Sequence, residues 1–240
     1  MSLEILANKK VLVFGASGGI GGEAARLIKG SQAQVFIAGR DRHKLEQLAS
    51  EAGIPAENIF ALDVTQPGEV EQAAQAIHER IGALDILINA AGIGLLKPLE
   101  NLSYEDFSRV IDVNLKGAFN IFKAFLPPMK EAKKGLIINI PGVLGKTPMA
   151  GAAAYAASKY GLDGMTKSIR EELKRTEVRI TNLYLGGVDS PFWDEIEVKV
   201  NREKFIAAKA AGRAVWFLCQ QPTTGVVSEM VIQPFNHQAI

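Results

Sequence analysis

Tyr155 and Lys159 stand four residues apart in the run Tyr155-Ala156-Ala157-Ser158-Lys159. On a helix, that spacing puts both side chains on one face. A phenol titrates at about 10 in water, and a neighbouring ammonium stabilises its phenolate. Lowering that value by about three units takes roughly 4 kcal/mol. Tyr155 then exchanges a proton with a carbonyl or alcohol oxygen near neutral pH. Alone, a tyrosine–lysine pair on a helix is ordinarily structural. A second feature changes its weight: the upstream run Gly15-Ala16-Ser17-Gly18-Gly19-Ile20-Gly21. It lies between an apolar segment and an amphipathic one, where glycines allow a tight turn and close approach of phosphate oxygens. The N–H groups of the following helix start favour the same anion.

Further residues with chemical potential lie at the ends of other apolar runs. Ala38-Gly39-Arg40-Asp41 closes the second. An acidic residue here binds the ribose hydroxyls of NAD, and a basic one accommodates the 2′-phosphate of NADP. Arg40 suits the phosphate, with Arg42 or His43 assisting. Asp41 either contacts ribose or N-caps the next helix. NADP (as NADPH) is therefore expected over NAD. Asp63 and Val64 follow the third run, and Asn89-Ala90-Ala91-Gly92 follows the fourth. Ligands of open α/β sheets bind at such strand ends. Asp63 contacts adenine or stabilises a turn; Asn89 ties backbone around the crevice.

These residues need a scaffold, and the hydrophobic pattern supplies one. Val11–Phe14, Gln34–Ala38, Asn58–Leu62, Leu84–Asn89, Gly135–Ile140 and Arg179–Tyr184 read as strands. Their near-continuous apolar character fits a parallel sheet covered on both faces. Helices are expected near 19–30, 41–52, 68–81, 104–131, 151–175 and 203–219, with a last strand at Val226–Ile232. Pro127-Pro128 is expected to end or kink the fourth helix. The alternation predicts an α/β, doubly wound parallel sheet in a single domain spanning 1–240. Gly186 to about Lys204 has the weakest pattern and reads as a binding loop with a short helix.

Composition narrows the function. A net charge of +1 gives no reason to expect nucleic acid or an anionic membrane. The single cysteine, Cys219, excludes an intrachain disulfide. His43, His78 and His237 are far apart and show no metal-ligand spacing. No apolar run has the length of a membrane span. The N-terminal residues lack a signal-peptide pattern, so a cytoplasmic protein is expected.

Taken together, the glycine loop, Asn89-Ala90-Ala91-Gly92, Asn114, Tyr155 with Lys159, and Gly186-Gly187-Val188-Asp189-Ser190 resemble the compact short-chain dehydrogenases/reductases. The resemblance covers nearly the whole chain, in the family's order and spacing. It implies a Rossmann-type fold that uses NAD(P) for hydride transfer at a carbonyl carbon, as a homodimer or homotetramer. By that resemblance Tyr155 is the acid in reduction and the base in oxidation. Lys159 holds the nicotinamide ribose and lowers the Tyr155 pKa. Asn114 organises a water-linked proton path, or else ties backbone near a helix bend. Gly186, Val188 and Ser190 surround the nicotinamide. Gly15, Ser17, Gly18, Gly19, Ile20, Gly21, Ala90 and Gly92 line the rest of the cofactor's path.

The chain departs from the family pattern in several places. Phe14, Leu185 and Ser190 replace two threonines and a proline at tolerant positions, Phe14 and Ser190 standing for the threonines. Gly142 is the serious departure, since it falls thirteen residues before Tyr155, where the family carries a serine that bonds the substrate oxygen. Losing an aligned donor to developing charge costs about 10²–10³ in rate. Restoring serine at Gly142 is therefore expected to raise carbonyl reduction. Thr147 is the next hydroxyl, five residues on. Two functions follow: an NADP(H)-dependent carbonyl–alcohol oxidoreductase, at full or attenuated rate, or an NADP(H)-binding regulatory or structural protein. Pro191-Phe192-Trp193 either begins an apolar substrate wall or packs its loop on the core. The ending Gln233-Pro234-Phe235-Asn236-His237 lacks the glycine-rich close common in tetrameric relatives.

Overall fold

Val11 to Phe14 are wholly buried, which demands cover on both faces of the first strand. In the computed structural model, residues 6–194, 196 and 200–235 are described. Glu4, Asn236 and His237 lie outside them. Among the described residues the strands are β1 (Lys10–Phe14), β2 (Gln34–Gly39), β3 (Ile59–Ala61), β4 (Ile86–Asn89), β5 (Gly135–Asn139), β6 (Val178–Leu185), β7 (Val188–Asp189), β8 (Ile206–Ala207) and β9 (Glu229–Ile232). Seven form one sheet in the order β3-β2-β1-β4-β5-β6-β9, and every neighbouring pair is parallel. The order reverses between β1 and β4, which opens a crevice beyond the C-terminal strand ends. This is the expected doubly wound α/β architecture.

The helices are α1 (Gly19–Gly30), α2 (Arg42–Ala52), α3 (Pro67–Ile81), α4 (Tyr104–Ile111), α5 (Gly117–Glu131), α6 (Ala153–Leu173) and α7 (Ala208–Leu218). Alternate strand residues point to opposite faces. Val11, Val13, Ile86 and Ile138 pack with α1, α2 and α7. Leu12, Phe14, Leu87 and Ile137 pack with α3, α5 and α6.

Polar residues interrupt the second face at one level. Asn89 of β4, Asn139 of β5 and Asn182 of β6 are register partners, and all are buried. Asn89 Nδ2 donates to Asn139 Oδ1 at 3.0 Å, and Asn139 Nδ2 to Asn182 Oδ1 at 3.4 Å. Asn182 Nδ2 then reaches Thr166 Oγ1 at 2.8 Å and Asp163 Oδ1 at 3.1 Å on α6. Each buried amide thus has partners, which cancels most of its desolvation cost.

Several boundaries differ from the sequence pattern. The expected helix over 104–131 is α4 and α5 joined by a π-helical turn, Asp112–Lys116, which contains Asn114. Its amide is drawn sideways to bond the Ile93 backbone, and a π turn accommodates such a pull. Pro127 and Pro128 do not end α5, which closes only when Ala132 N–H bonds Pro128 O at 3.0 Å. Ile121, Phe122, Phe125 and Met129 bury their side chains before and after the prolines. That packing outweighs the roughly 3 kcal/mol a helical proline costs. The last strand starts at Glu229 rather than Val226. The final helix begins at Ala208, after a short 3₁₀ turn at Arg202–Lys204 and β8.

Candidate active site

The glycine loop carries the chain from β1 into α1 with no room for side chains at two points. Gly15 has φ +73°, and a Cβ there would lie 2.5 Å from the Ala90 carbonyl carbon. A Cβ on Gly21 would lie 2.4 Å from Gly15 O. Gly15 O accepts from Gly18 N–H at 3.0 Å, which closes the turn. Ser17 lies against Gly39 at the end of β2. Gly19 packs on Ser190, so the loop touches the segment after β6. The result is a backbone-walled cradle at the start of α1, suited to a diphosphate.

Arg40 is exposed and makes no hydrogen bond or ion pair among the described residues. It borders a recess of ≈310 Å³ with Asp63, Thr65, Arg109 and Asp112. Asp41 is committed elsewhere: its carboxylate accepts from Lys44 N–H at 3.0 Å and N-caps α2. Asp63 borders the recess, and its Oδ1 also accepts from Thr65 N–H at 2.8 Å, which stabilises the turn. Val64 faces away; it is buried against Gly117, and its carbonyl accepts from Asn120 at 2.8 Å.

A larger cavity of ≈1030 Å³ unites the two ends of the molecule's chemistry. Ile20, Ala90, Gly92, Gly186, Val188 and Ser190 line it together with Tyr155, Lys159 and Gly142. Tyr155 and Lys159 lie one turn apart on α6, with the ammonium 5.5 Å from the centre of the phenol ring. Lys159 Nζ also donates to Ile140 O at 3.4 Å. Burial pushes the Lys159 amine down to about 8. Burial also pushes the Tyr155 phenol up, opposite to the lowering that the sequence suggests. In this apolar cavity desolvation opposes charge on either group, and it outweighs their mutual attraction at this separation.

Asn114 ties the backbone around the site together, and its side chain lies near Lys159 beside Gly92. Its Oδ1 accepts from Ile93 N–H at 2.8 Å, and its Nδ2 donates to Ile93 O at 2.9 Å and to Ser158 Oγ at 3.0 Å. Ser158 Oγ donates in turn to Tyr155 O at 2.7 Å. The π turn, the Gly92–Ile93 loop and the start of α6 are thereby tied together. Asn89 does the same for the preceding loop, where its Oδ1 accepts from Ala91 N–H at 3.3 Å.

Gly142 lies beside the chemical pair with φ 72° and ψ 169°, a conformation reserved for glycine. A Cβ there would meet only Leu185 O, at 3.5 Å. Space alone would admit a side chain; the backbone does not. A serine restored there is strained by the backbone, which weighs against the expected gain in carbonyl reduction.

The opposite wall is aromatic. The Phe192 ring lies 5.7 Å from that of Tyr155, Trp193 lies 5.5 Å from Phe192, and Phe205 lies 5.0 Å from Trp193. Trp193 Nε1 donates to Val188 O at 3.0 Å, fixing this row to β7. Phe192 is so close to Gly94 that any Cβ there would clash with its ring. Both sequence readings of Phe192 and Trp193 hold, since the rings line the cavity and also pack their loop. Phe205, Leu144 and Met149 also line the cavity. No local motif marks them, because they come from separate segments that meet only in three dimensions. No helix among the described residues is long and apolar enough to cross a membrane.

Comparison with known proteins agrees with this architecture. Residues 9–201 match the family model described as short chain dehydrogenase. An uncharacterized oxidoreductase of Staphylococcus epidermidis is 31% identical over 226 residues, covering 94% of this chain and 97% of that protein. A metagenomic short-chain oxidoreductase, solved in complex with NADP, superposes with a TM-score of 0.82 at 30% identity, covering 96% of this chain and 98% of that one. An alcohol dehydrogenase from the archaeon Thermococcus sibiricus, complexed with 5-hydroxy-NADP, gives 0.85 at 27% identity, covering 97% and 99%. With its sheet order, glycine cradle and Tyr155–Lys159 pair, the chain belongs to the short-chain dehydrogenase family.

Proposed function

We propose that the protein is an NADP(H)-dependent oxidoreductase that interconverts a carbonyl and an alcohol. The observation that carries this reading is the single cavity in which Ile20, Gly92 and Ser190 of the nucleotide crevice line the same space as Tyr155 and Lys159. A nicotinamide bound there supplies or accepts hydride at the substrate carbon. Tyr155 gives its hydroxyl proton to the oxygen in reduction and takes it back in oxidation. Lys159 bears the positive charge that offsets the developing phenolate and donates toward the ribose. The aromatic wall excludes water, which strengthens both interactions.

The cofactor preference rests on two side chains. Arg40 is a cation with no partner among the described residues, and it pairs well with a 2′-phosphate. Asp41, the residue suited to ribose hydroxyls, is used as a helix cap. Relatives of similar length solved with NADP or a derivative support the same preference. The substrate is a small molecule with an apolar body, in keeping with the cavity walls. We place the protein in the cytoplasm and expect a homo-oligomer, either dimer or tetramer.

Gly142 favours a second reading. We place it where relatives carry the serine that bonds the substrate oxygen, and it offers no hydroxyl. A protein lacking that donor altogether would bind NADP(H) yet turn over little. Titration with NADPH and NADH, followed by nicotinamide absorbance over a panel of ketones and aldehydes, separates the two. Tighter NADPH binding with steady turnover supports the enzyme. Tight binding without turnover supports the binding protein, and equal affinities overturn the NADP assignment.

A further inference from the structure

The substrate oxygen needs a second donor beside Tyr155, and Gly142 has no side chain to give one. Two observations locate another. First, the chain after Gly142 folds back on itself. Val143–Gly145 forms a 3₁₀ turn, Gly145 N–H bonds Gly142 O at 3.0 Å, and both Lys146 and Thr147 N–H bond Val143 O at 2.9 Å. Thr147 therefore does not run away from the site, despite its five-residue separation from Gly142. It lines the cavity that Gly142, Tyr155 and Lys159 line.

Second, the Thr147 hydroxyl has no hydrogen-bond partner among the described residues, whereas its backbone N–H does. Thr147 is half-buried on the cavity wall, and its hydroxyl is open to the cavity, where it can bond water or a ligand oxygen. The cavity lining holds two other side-chain hydroxyls, those of Tyr155 and Ser190. Ser190 packs against Gly19 at the nucleotide end. Beside Gly142 itself, a Cβ would meet only Leu185 O, at 3.5 Å, so the cavity is open at that point of the wall it shares with Thr147 and Tyr155.

From these contacts we infer that Thr147 is the hydroxyl that hydrogen-bonds the substrate oxygen in place of the serine missing at Gly142. Thr147 donates a hydrogen bond and keeps its own proton; the proton that moves belongs to Tyr155. The inference rests on the carbonyl–alcohol reading above. It explains how Gly142 is compatible with a working site, because the donor sits one turn further along the same cavity wall.

The test uses Thr147→Val, which replaces the hydroxyl by a methyl of similar shape, with Thr147→Ser and Tyr155→Phe measured beside it. Each is assayed on the best ketone or aldehyde of the panel at saturating NADPH. Thr147→Val is expected to lower kcat about 10²-fold, the cost of one donor to developing charge, with KM, NADPH affinity and melting temperature little changed. Thr147→Ser, which keeps the hydroxyl, is expected to recover most of that loss. Full kcat in Thr147→Val together with lost turnover in Tyr155→Phe overturns this inference alone. Full kcat in both variants moves the chemistry away from Tyr155 and overturns this inference with it, whereas no turnover of any carbonyl by the native chain overturns the oxidoreductase reading and this inference together. A fall in Thr147→Val that comes with equal losses of melting temperature and NADPH affinity marks a structural residue and also overturns it.

Discussion

At Gly15 and Gly21 the nucleotide loop is bare backbone with no space for a side chain, whereas around Tyr155 the cavity wall is made of side chains from widely separated segments. The first surface is written in one stretch of seven residues. The second is assembled from the turn after β5, the start of α6 and the residues that follow β7. A backbone surface recognises what every user of the site shares, a diphosphate. A side-chain surface is where one enzyme differs from the next. Changes at the nucleotide end should therefore alter which cofactor binds, and changes at the other end should alter what happens to it.

Tyr155→Phe is the sharpest way to break that division. It should cut turnover by roughly 10²–10⁴-fold, the usual worth of a positioned acid–base group. NADPH affinity, measured by titration, should stay within about twofold, because the ring and its packing on Phe192 remain. A variant that loses NADPH affinity together with turnover would show that the two ends are not separable.

Gly142→Ser comes next. The φ of 72° with ψ 169° penalises any side chain by about 1–3 kcal/mol. Thermal unfolding should shift down, and kcat/KM should fall or stay level. A gain in kcat/KM at an unchanged melting temperature would mean that the turn can adopt the geometry of a serine-bearing relative.

Arg40→Ala acts at the other end. The preference for NADPH over NADH should fall about tenfold, or roughly 1.4 kcal/mol. Turnover at saturating NADPH should be unaffected. An unchanged preference would move recognition of the 2′-phosphate to a different cation of the recess, with Arg109 the nearest candidate by its place in the lining.

Lys159→Met gives the most specific signal. The folded chain releases the Lys159 proton near 8, the unfolded chain near 10.5. Between those values the unfolded state holds more protons, so this group's contribution to stability rises with pH. Below 8 its penalty is constant. The stability difference, native minus variant, should be flat below pH 8 and climb toward 10.5. A flat difference throughout would show that the buried amine keeps its ordinary pKa.

The sequence makes the fold legible because a two-face-buried parallel sheet leaves unbroken apolar runs, and six of these fall within a residue or two of the strands found. It is less informative where tertiary contacts overrule local preference. The π turn at Asn114 arises from a bond to Ile93, twenty-one residues away. The helix survives Pro127 and Pro128 because Met129 is buried beyond them. In the site, the glycine cradle and the Tyr155–Lys159 pair are local patterns and can be read directly. The direction of the Tyr155 shift cannot, since burial is a property of the assembled cavity. Nor can the conformation of Gly142, which decides what a substitution there would do, or the return of Thr147 to the cavity.

The row Asn89–Asn139–Asn182 has a meaning for assembly that differs from its bonding. Apart from its asparagine β4 holds only Leu and Ile, and β5 only Gly, Leu and Ile, so a slip of two residues between them would keep each side chain on its own face and lose little burial. Hydrophobicity is a poor ruler along such a strand. The amides mark one position on each: out of step, they would be stranded among aliphatic neighbours, each unpaired group at a cost of about 1–3 kcal/mol. The three asparagines thus act as alignment pins for the middle of the sheet. Because β4 leads directly into Ala90, and β5 through Ile140 and Pro141 into Gly142, the pins also set how far each strand projects into the crevice, and a misaligned chain would fold with its reactive groups at the wrong height.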